Sequence, residues 1–170
     1  SGNVYSAGYF AGTADFDPGT GKYNISSAGL NDIFVSKVDA SGNFVWVKQF
    51  GSTSADIANS IEVDSVGNIY VTGYFGQTVD FDPGAGIVNL SASAINDVFV
   101  LKLDSSGNLI WVKQLSGFSN EAGQSIKLDK NGNLFITGQF ASTVDFDPGA
   151  GVYNMTASSN DVFICKLTVA

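Results

Sequence analysis

Apolar and polar positions alternate along this chain in short runs. In Asp97-Val-Phe-Val-Leu-Lys-Leu103, the residues Phe99, Leu101 and Leu103 alternate with Val98 and Val100, so both faces of the segment are apolar. A strand with two apolar faces belongs to a sheet covered on both sides. Similar runs, rich in β-branched and aromatic residues and bounded by Gly, Asn and Asp, predict four strands in the central part of the chain. We label them a (Asn59 to Val63), b (Asn68 to Phe75), c (Asp97 to Leu103) and d (Asn108 to Leu115).

The run of strands repeats. Asp15, Asp80 and Asp145 are 65 residues apart, as are Trp46 and Trp111, and Asn3, Asn68 and Asn133. From Asp97 to Asp161 the interval is 64, one residue having been lost after the third Asp-Phe-Asp-Pro-Gly segment. Strands a and b, and again c and d, are joined by Asp-x-x-Gly-Asn, at Asp39 to Asn43, Asp64 to Asn68, Asp104 to Asn108 and Asp129 to Asn133. The Asp side chain can accept a backbone N–H inside such a turn while Gly supplies a positive φ, which makes the spacing a specific hairpin signal. Gly8, Gly73 and Gly138, inside strand b, predict close approach of backbone from a neighbouring unit.

Small four-stranded sheets stacked face to face around an axis satisfy the demand for cover on both faces. The expected fold is therefore all-β, a β-propeller-like array of four-stranded antiparallel blades. Residues 1–50 form a partial blade b-c-d, 51–115 a complete blade a-b-c-d and 116–170 a partial blade a-b-c, ten strands in about two and a half blades. Ser1-Gly2-Asn3 matches the end of the recurrent turn, and Thr168 stands where the other copies have Asp39 and Asp104. We expect a segment of a longer array. With b and c present at both ends, closure within one chain is not expected; the blades form an open arc or part of a larger or oligomeric ring.

Strand c, its turn and strand d, Asp97-Val-Phe-Val-Leu-Lys-Leu-Asp-Ser-Ser-Gly-Asn-Leu-Ile-Trp-Val-Lys-Gln-Leu115, followed by Ser125-Ile-Lys-Leu-Asp-Lys-Asn-Gly-Asn-Leu-Phe-Ile-Thr-Gly138, resemble the bacterial beta-propeller repeat family called SBBP. They are more distantly similar to NHL repeats. The resemblance implies a blade with strand a innermost and d outermost, in exported or cell-surface bacterial proteins mostly without assigned biochemistry. The long b–c connection, Gly76 to Asn96, departs from that pattern and carries the Asp-Phe-Asp-Pro-Gly segment.

Composition narrows the function. The 170 residues carry 16 acidic and 8 basic side chains, all of the latter Lys, for a net charge of −8. Such a surface repels phosphate backbones, and Arg, the main reader of guanine edges, is absent, so nucleic acid is not an expected partner. No apolar run approaches the roughly 20 residues that span a bilayer, and no basic-then-apolar leader opens the sequence. Membrane insertion is not expected. The lone Cys165 permits no intrachain disulfide and reads as a small core filler. With no His there is neither a Ser-His nor a Cys-His couple, and with no Arg no bidentate phosphate clamp. A carboxylate pair for glycoside hydrolysis is usually two differently tuned groups, whereas here near-identical copies recur in every blade. The expectation is a protein that is not an enzyme.

In the Asp-Phe-Asp-Pro-Gly segments, extended backbone projects the two carboxylates to one side and Phe to the other. Asp15 with Asp17, Asp80 with Asp82 and Asp145 with Asp147 are accordingly the candidate metal ligands, for Ca²⁺, one site per blade. The competing reading has Phe anchor the loop while the aspartates bond the backbone of the following turn. Two carboxylates supply only part of the roughly six to eight oxygens that Ca²⁺ takes. Asn31-Asp32, Asn96-Asp97 and Asn160-Asp161 either add oxygens or cap strand c. The d–a stretch Gly51 to Asn59 should lie beside these loops, and that acidic rim favours cations or hydroxyl-rich glycans. Trp46 and Trp111 are expected in blade packing rather than as sugar platforms. Lys37, Lys102 and Lys166 should snorkel or pair with a loop Asp. Asn24, Asn89 and Asn154 open glycosylation sequons, one feature copied three times.

The function expected is a non-catalytic structural or interaction module of an extracellular or cell-surface bacterial protein. Its partners would be further copies through its open blade ends, further repeats of a longer parent chain, or a protein or glycan ligand. The alternatives are a Ca²⁺-dependent adhesion or glycan-binding module and, more remotely, a fragment of an acid-pair hydrolase.

Overall fold

The computed structural model describes residues 2–168, so Ser1, part of the reading of a truncated hairpin, lies outside the described residues. The first unit contains β1 (Val4–Phe10), β2 (Thr13–Asp15), β3 (Asn24–Ser26), β4 (Asp32–Val38) and β5 (Phe44–Phe50). The second contains β6 (Ile57–Val63), β7 (Ile69–Phe75), β8 (Thr78–Asp80), β9 (Asn89–Ser91), β10 (Asp97–Leu103) and β11 (Leu109–Gly117). The third contains β12 (Ala122–Leu128), β13 (Asn133–Asp145) and β14 (Asn154–Thr168). Among the described residues no helix is long and apolar enough to cross a membrane.

The second unit has the ladder order β6-β7-β10-β11, all antiparallel, which is the sequence order a-b-c-d. The first is β1-β4-β5 and the third β12-β13-β14. The fold is thus an all-β open arc of propeller-like blades. The described residues hold fourteen strands where ten were expected, because the b–c connection is itself a hairpin. Thr13, Ala14 and Asp15 pair with Ser26, Ile25 and Asn24, and Thr78, Val79 and Asp80 pair with Ser91, Leu90 and Asn89. In the third unit this hairpin is continuous with b and c, so β13 and β14 pair from Asn133↔Thr168 to Asp145↔Asn154 around one irregularity at Ala141/Thr143.

Each Asp-x-x-Gly-Asn turn closes as its chemistry requires. Asp64 N–H donates to the Asn68 carbonyl and Gly67 N–H to the Asp64 carbonyl, and Gly67 has φ 95°. The Asp64 carboxylate then accepts the N–H groups of Val66 (3.0 Å) and Asn68 (2.8 Å) and the Asn68 side-chain amide (2.8 Å). The same bonds recur around Asp39, Asp104 and Asp129. A turn that satisfies its own donors fixes hairpin register without help from the core.

The core lies between units rather than within them. One buried cluster joins Ile33, Val35 and Phe50 of the first unit to Ile69, Val71, Phe99 and Leu101 of the second. The other joins Val98, Val100 and Leu115 of the second to Leu134, Ile136 and Phe163 of the third. Along the inner side the a strands bond each other: the Asn59 amide donates to the Gly123 carbonyl (2.8 Å), Ile126 N–H to Ser60 Oγ (3.2 Å), and Lys127 pairs with Glu62. Of the strand-b glycines, Gly73 and Gly138 do face close backbone, but from their own unit, while Gly8 faces only the Phe34 ring. A Cβ on Gly73 would meet the Ile57 carbonyl and Ala58, where β6 bulges, and one on Gly138 would meet the Ala122 carbonyl. The approach between units falls instead at Gly123, whose Cβ would meet Thr72 and Val98.

Candidate functional site

The Asp-Phe-Asp-Pro-Gly segments form the tips of the small hairpins, and all six candidate aspartates are used in the same way. Asp80 Oδ1 accepts the N–H groups of Asp82 (3.0 Å) and Val88 (2.8 Å), and Asp82 Oδ1 accepts that of Gly84 (2.8 Å). Asp15 takes Asp17 N–H and Tyr23 N–H while Asp17 takes Gly19 N–H. Asp145 takes Asp147 N–H and Tyr153 N–H while Asp147 takes Gly149 N–H. The Tyr23 and Asp17 N–H groups hold the Asp15 carboxyl below its ordinary value, and those of Tyr153 and Asp147 do the same for Asp145. Among the described residues no group of three or more His, Cys, Asp or Glu side chains is placed to hold a metal ion.

Between the aspartates, Phe81 turns inward and is fully buried, 5.5 Å from Phe75, 5.3 Å from Phe99 and 5.8 Å from Phe50 of the preceding unit. Phe146 likewise meets Phe140 at 5.2 Å and Phe163 at 4.9 Å. The segment thereby fastens one blade to the end of strand d in the blade before. Phe16, in the first unit, packs on Phe10 and Phe34 but is only half-buried.

A shallow cavity of about 340 Å³ opens beside the second tip, lined by Asp32, Gln49 and Gly51 of the first unit and Asp80, Asp82 and Gly84 of the second. The d–a connection and the Asp-Phe-Asp-Pro-Gly tips do share a rim. Ser52 Oγ donates to the Gly76 carbonyl (3.0 Å), and Thr53 bonds Gln77 (2.8 Å).

A second set of acids lies at the seams, and of these the sequence pattern pointed to Asp32 and Asp97 but not to Asp56 and Glu121. Asp32 and Asp97, expected either to add oxygens to the rim or to cap strand c, are buried and receive the side chain of a strand-d glutamine, Gln49 or Gln114. Asp56 and Glu121, 65 residues apart at the start of strand a, are also buried. Asp56 accepts Ser52 N–H (2.6 Å), Ser52 Oγ (2.9 Å) and Gly76 N–H (2.9 Å), yet burial and the Asp32 charge leave its carboxyl above the usual range. Glu121 is one methylene longer, and neither of its buried oxygens closes a hydrogen bond. Burial, and then the neighbouring Asp97 charge, push it up to about 7. Asp32 Oδ1 is similarly buried without a partner. The signal that could have found this set was an acid at the same place in two copies, just before an apolar strand. In the third unit Asp161 is exposed.

Other expectations resolve into packing. Trp46 sits 6.3 Å from Tyr5 and Trp111 6.3 Å from Tyr70, both packed against the seam clusters. Lys37, Lys102 and Lys166 lie over the rings of Tyr5, Tyr70 and Phe135 at 5.3, 5.1 and 5.7 Å rather than against a loop Asp. Lys37 also donates to the Ser105 carbonyl of the next unit (2.9 Å). Cys165 is half-buried beside the second cluster, and burial raises its thiol. Asn24, Asn89 and Asn154 are exposed at the first positions of β3, β9 and β14.

Residues 45–74 match the beta-propeller repeat family SBBP, a stretch running from β5 across the first seam to β7. Over 159 residues the chain is 30% identical to an uncharacterized WD repeat-containing protein of Acanthamoeba polyphaga mimivirus, the alignment covering 86% of this chain and 11% of that protein. The chain thus spans about a ninth of the length of this curated relative.

Proposed function

We propose that this chain is a non-catalytic structural and interaction module of an exported or surface-displayed propeller protein, acting through its open blade ends. The observation that carries this reading is the state of strand c in the third unit. Val162 and Ile164 are 82% and 77% exposed, whereas their counterparts Val98 and Val100 are 1% and 0% exposed. At both internal seams a face of this kind is covered by a neighbouring blade, which here would be a further repeat of a longer parent chain or a blade of another copy. The acids support the non-catalytic part, since those of the rim bond their own turns and those of the seams lie between blades. Static light scattering over a concentration series tests the reading. A mass above one chain that falls on dilution is expected, and a single-chain mass at every concentration overturns it.

A second reading, a cation- or glycan-binding rim, is favoured by one observation. Asp32, Asp80 and Asp82 line the same cavity, and Asp32 Oδ1 is buried without a partner.

A further inference from the structure

The cavity at the first seam differs from its counterpart at the second in what its wall offers. Both lie between strand d of one unit and the Pro-Gly tip of the next, with a volume of about 340 Å³ at the first seam and about 380 Å³ at the second. The second is lined by Ser93, Lys113, Ser116 and Asp147, so its carboxylate shares the wall with an ammonium and hydroxyls. The first is lined by three carboxylates, Asp32, Asp80 and Asp82, and by no Lys. Among the described residues Gln49 is the one side-chain donor in its wall, and that amide is spent on the Ser26 carbonyl (2.7 Å) and Asp32 Oδ2 (2.7 Å). Oδ1 of Asp80 and of Asp82 is fixed by backbone N–H groups, which leaves Oδ2 of each as an acceptor. Asp32 lies at the floor, only 1% exposed, with its Oδ1 unpartnered. A Cβ on Gly51 would drive into that carboxylate, so glycine leaves it uncovered on this side.

Resting on the cation-binding form of the second reading above, we infer that the first-seam cavity takes a donor-bearing organic cation, a primary ammonium or a guanidinium, held by Asp32, Asp80 and Asp82. Side chains that only accept call for a ligand that only donates, and both of these groups carry N–H donors and no acceptor. A buried carboxylate oxygen without a partner is costly, and a hydrogen-bonding cation beside it offsets that cost. At the second seam the protein lines the same place with an ammonium of its own, Lys113. A metal ion fits less well. Ca²⁺ takes about six to eight oxygens, and among the described residues no three acids are placed to hold a metal ion. An ammonium has only three N–H groups to satisfy. The cavity is shallow and open, so the cation enters as the head of a chain that stays outside, and the net charge of −8 draws it in. That chain is a free polyamine or the side chain of a basic partner.

The test is isothermal titration of the whole chain in about 0.15 M NaCl, where diffuse attraction is screened. The probes are n-butylammonium, spermidine, an acetylated lysine tripeptide and tetramethylammonium, which carries the charge without an N–H. The first three should bind once per chain with dissociation constants on the order of 1 mM, and tetramethylammonium roughly fivefold more weakly or worse. This comparison needs no variant. Asp82→Asn, which keeps the Oδ1 acceptor for Gly84 N–H, should weaken binding roughly threefold or more, while Asp147→Asn at the second seam should leave it unchanged. Melting curves check that both variants fold. Tighter binding of the tripeptide than of spermidine assigns the site to a basic partner, and the reverse order to a free polyamine. Tetramethylammonium binding as tightly as n-butylammonium, or equal losses in the two variants, would overturn the inference. So would a failure of all three amines to bind. In that case a rise in melting temperature with millimolar Ca²⁺, abolished by Asp80→Asn with Asp82→Asn, would leave the rim reading standing in its metal form, and no rise would remove its cation form as well.

Discussion

The carboxyl of Glu121 lies beside that of Asp97 at the seam between the second and third units, and both side chains are fully buried. Asp97 accepts Ser93 N–H (3.0 Å) and the Gln114 side chain, while burial and then the neighbouring Asp97 charge push the Glu121 carboxyl up to about 7. Two buried carboxylates side by side cannot both ionise cheaply, and the group with fewer hydrogen bonds yields.

Stability should therefore fall as pH rises from 4.5 to about 7. The Glu121 carboxyl is raised from 4.5 to about 7, so between those values the folded chain holds a proton that the unfolded chain has released. The contribution is lost progressively across that window and is constant above it, with a ceiling on the order of 3 kcal/mol. Glu121→Gln removes the charge and keeps the shape. Its urea midpoint should exceed that of the unaltered protein at pH 8 and match it at pH 4; equal midpoints at both would refute the paired carboxyls.

Phe81 should matter far more than its copy Phe16. Fully buried among Phe50, Phe75 and Phe99, it should cost about 3–5 kcal/mol on truncation to Ala, whereas Phe16, half-buried and with no strand d packed over it among the described residues, should cost clearly less in this chain. Chemical denaturation of the two variants checks the order. Equal losses would mean that the ring anchors only its own hairpin.

Ca²⁺ should leave the melting temperature unchanged. Oδ1 of each rim aspartate already holds one or two backbone N–H groups, and a cation would have to compete with them. A ligand selective for the native state must raise the midpoint. A rise at millimolar Ca²⁺ that EDTA reverses, and that Asp80→Asn with Asp82→Asn abolishes, would establish the cation-binding rim instead.

How far the chain could be read depended on the range of the forces involved. Strand c was legible to the residue, Asp97–Leu103, because its alternation and its turn are local. The hairpin of β8 and β9 was not: Thr78–Asp80 and Asn89–Ser91 are three residues each, too short for alternation to register. The aspartates of Asp-Phe-Asp-Pro-Gly drew attention by their spacing, and their bonds proved to be local too. Asp97 and Glu121 meet only because two blades stack, and no window along the sequence contains that fact.

The strand-b glycines give a last test, since one residue type recurs in three different surroundings. A Cβ on Gly73 would drive into the Ile57 carbonyl and the Ala58 backbone, which belong to the bulge between Ala58 and Ser60 in β6. Backbone in a paired strand cannot rotate away, so Gly73→Ala should destabilise by about 1–3 kcal/mol or more. In the first unit no strand a is present among the described residues, and a Cβ on Gly8 would meet only the Phe34 ring, at 3.0 Å. That ring lies on a half-exposed face and can shift by the few tenths of an ångström required. Gly8→Ala should therefore be close to neutral. Thermal melts of the two variants would separate the explanations: if both fall equally, the glycines are kept for backbone conformation within strand b, and the bulge of strand a is not the reason.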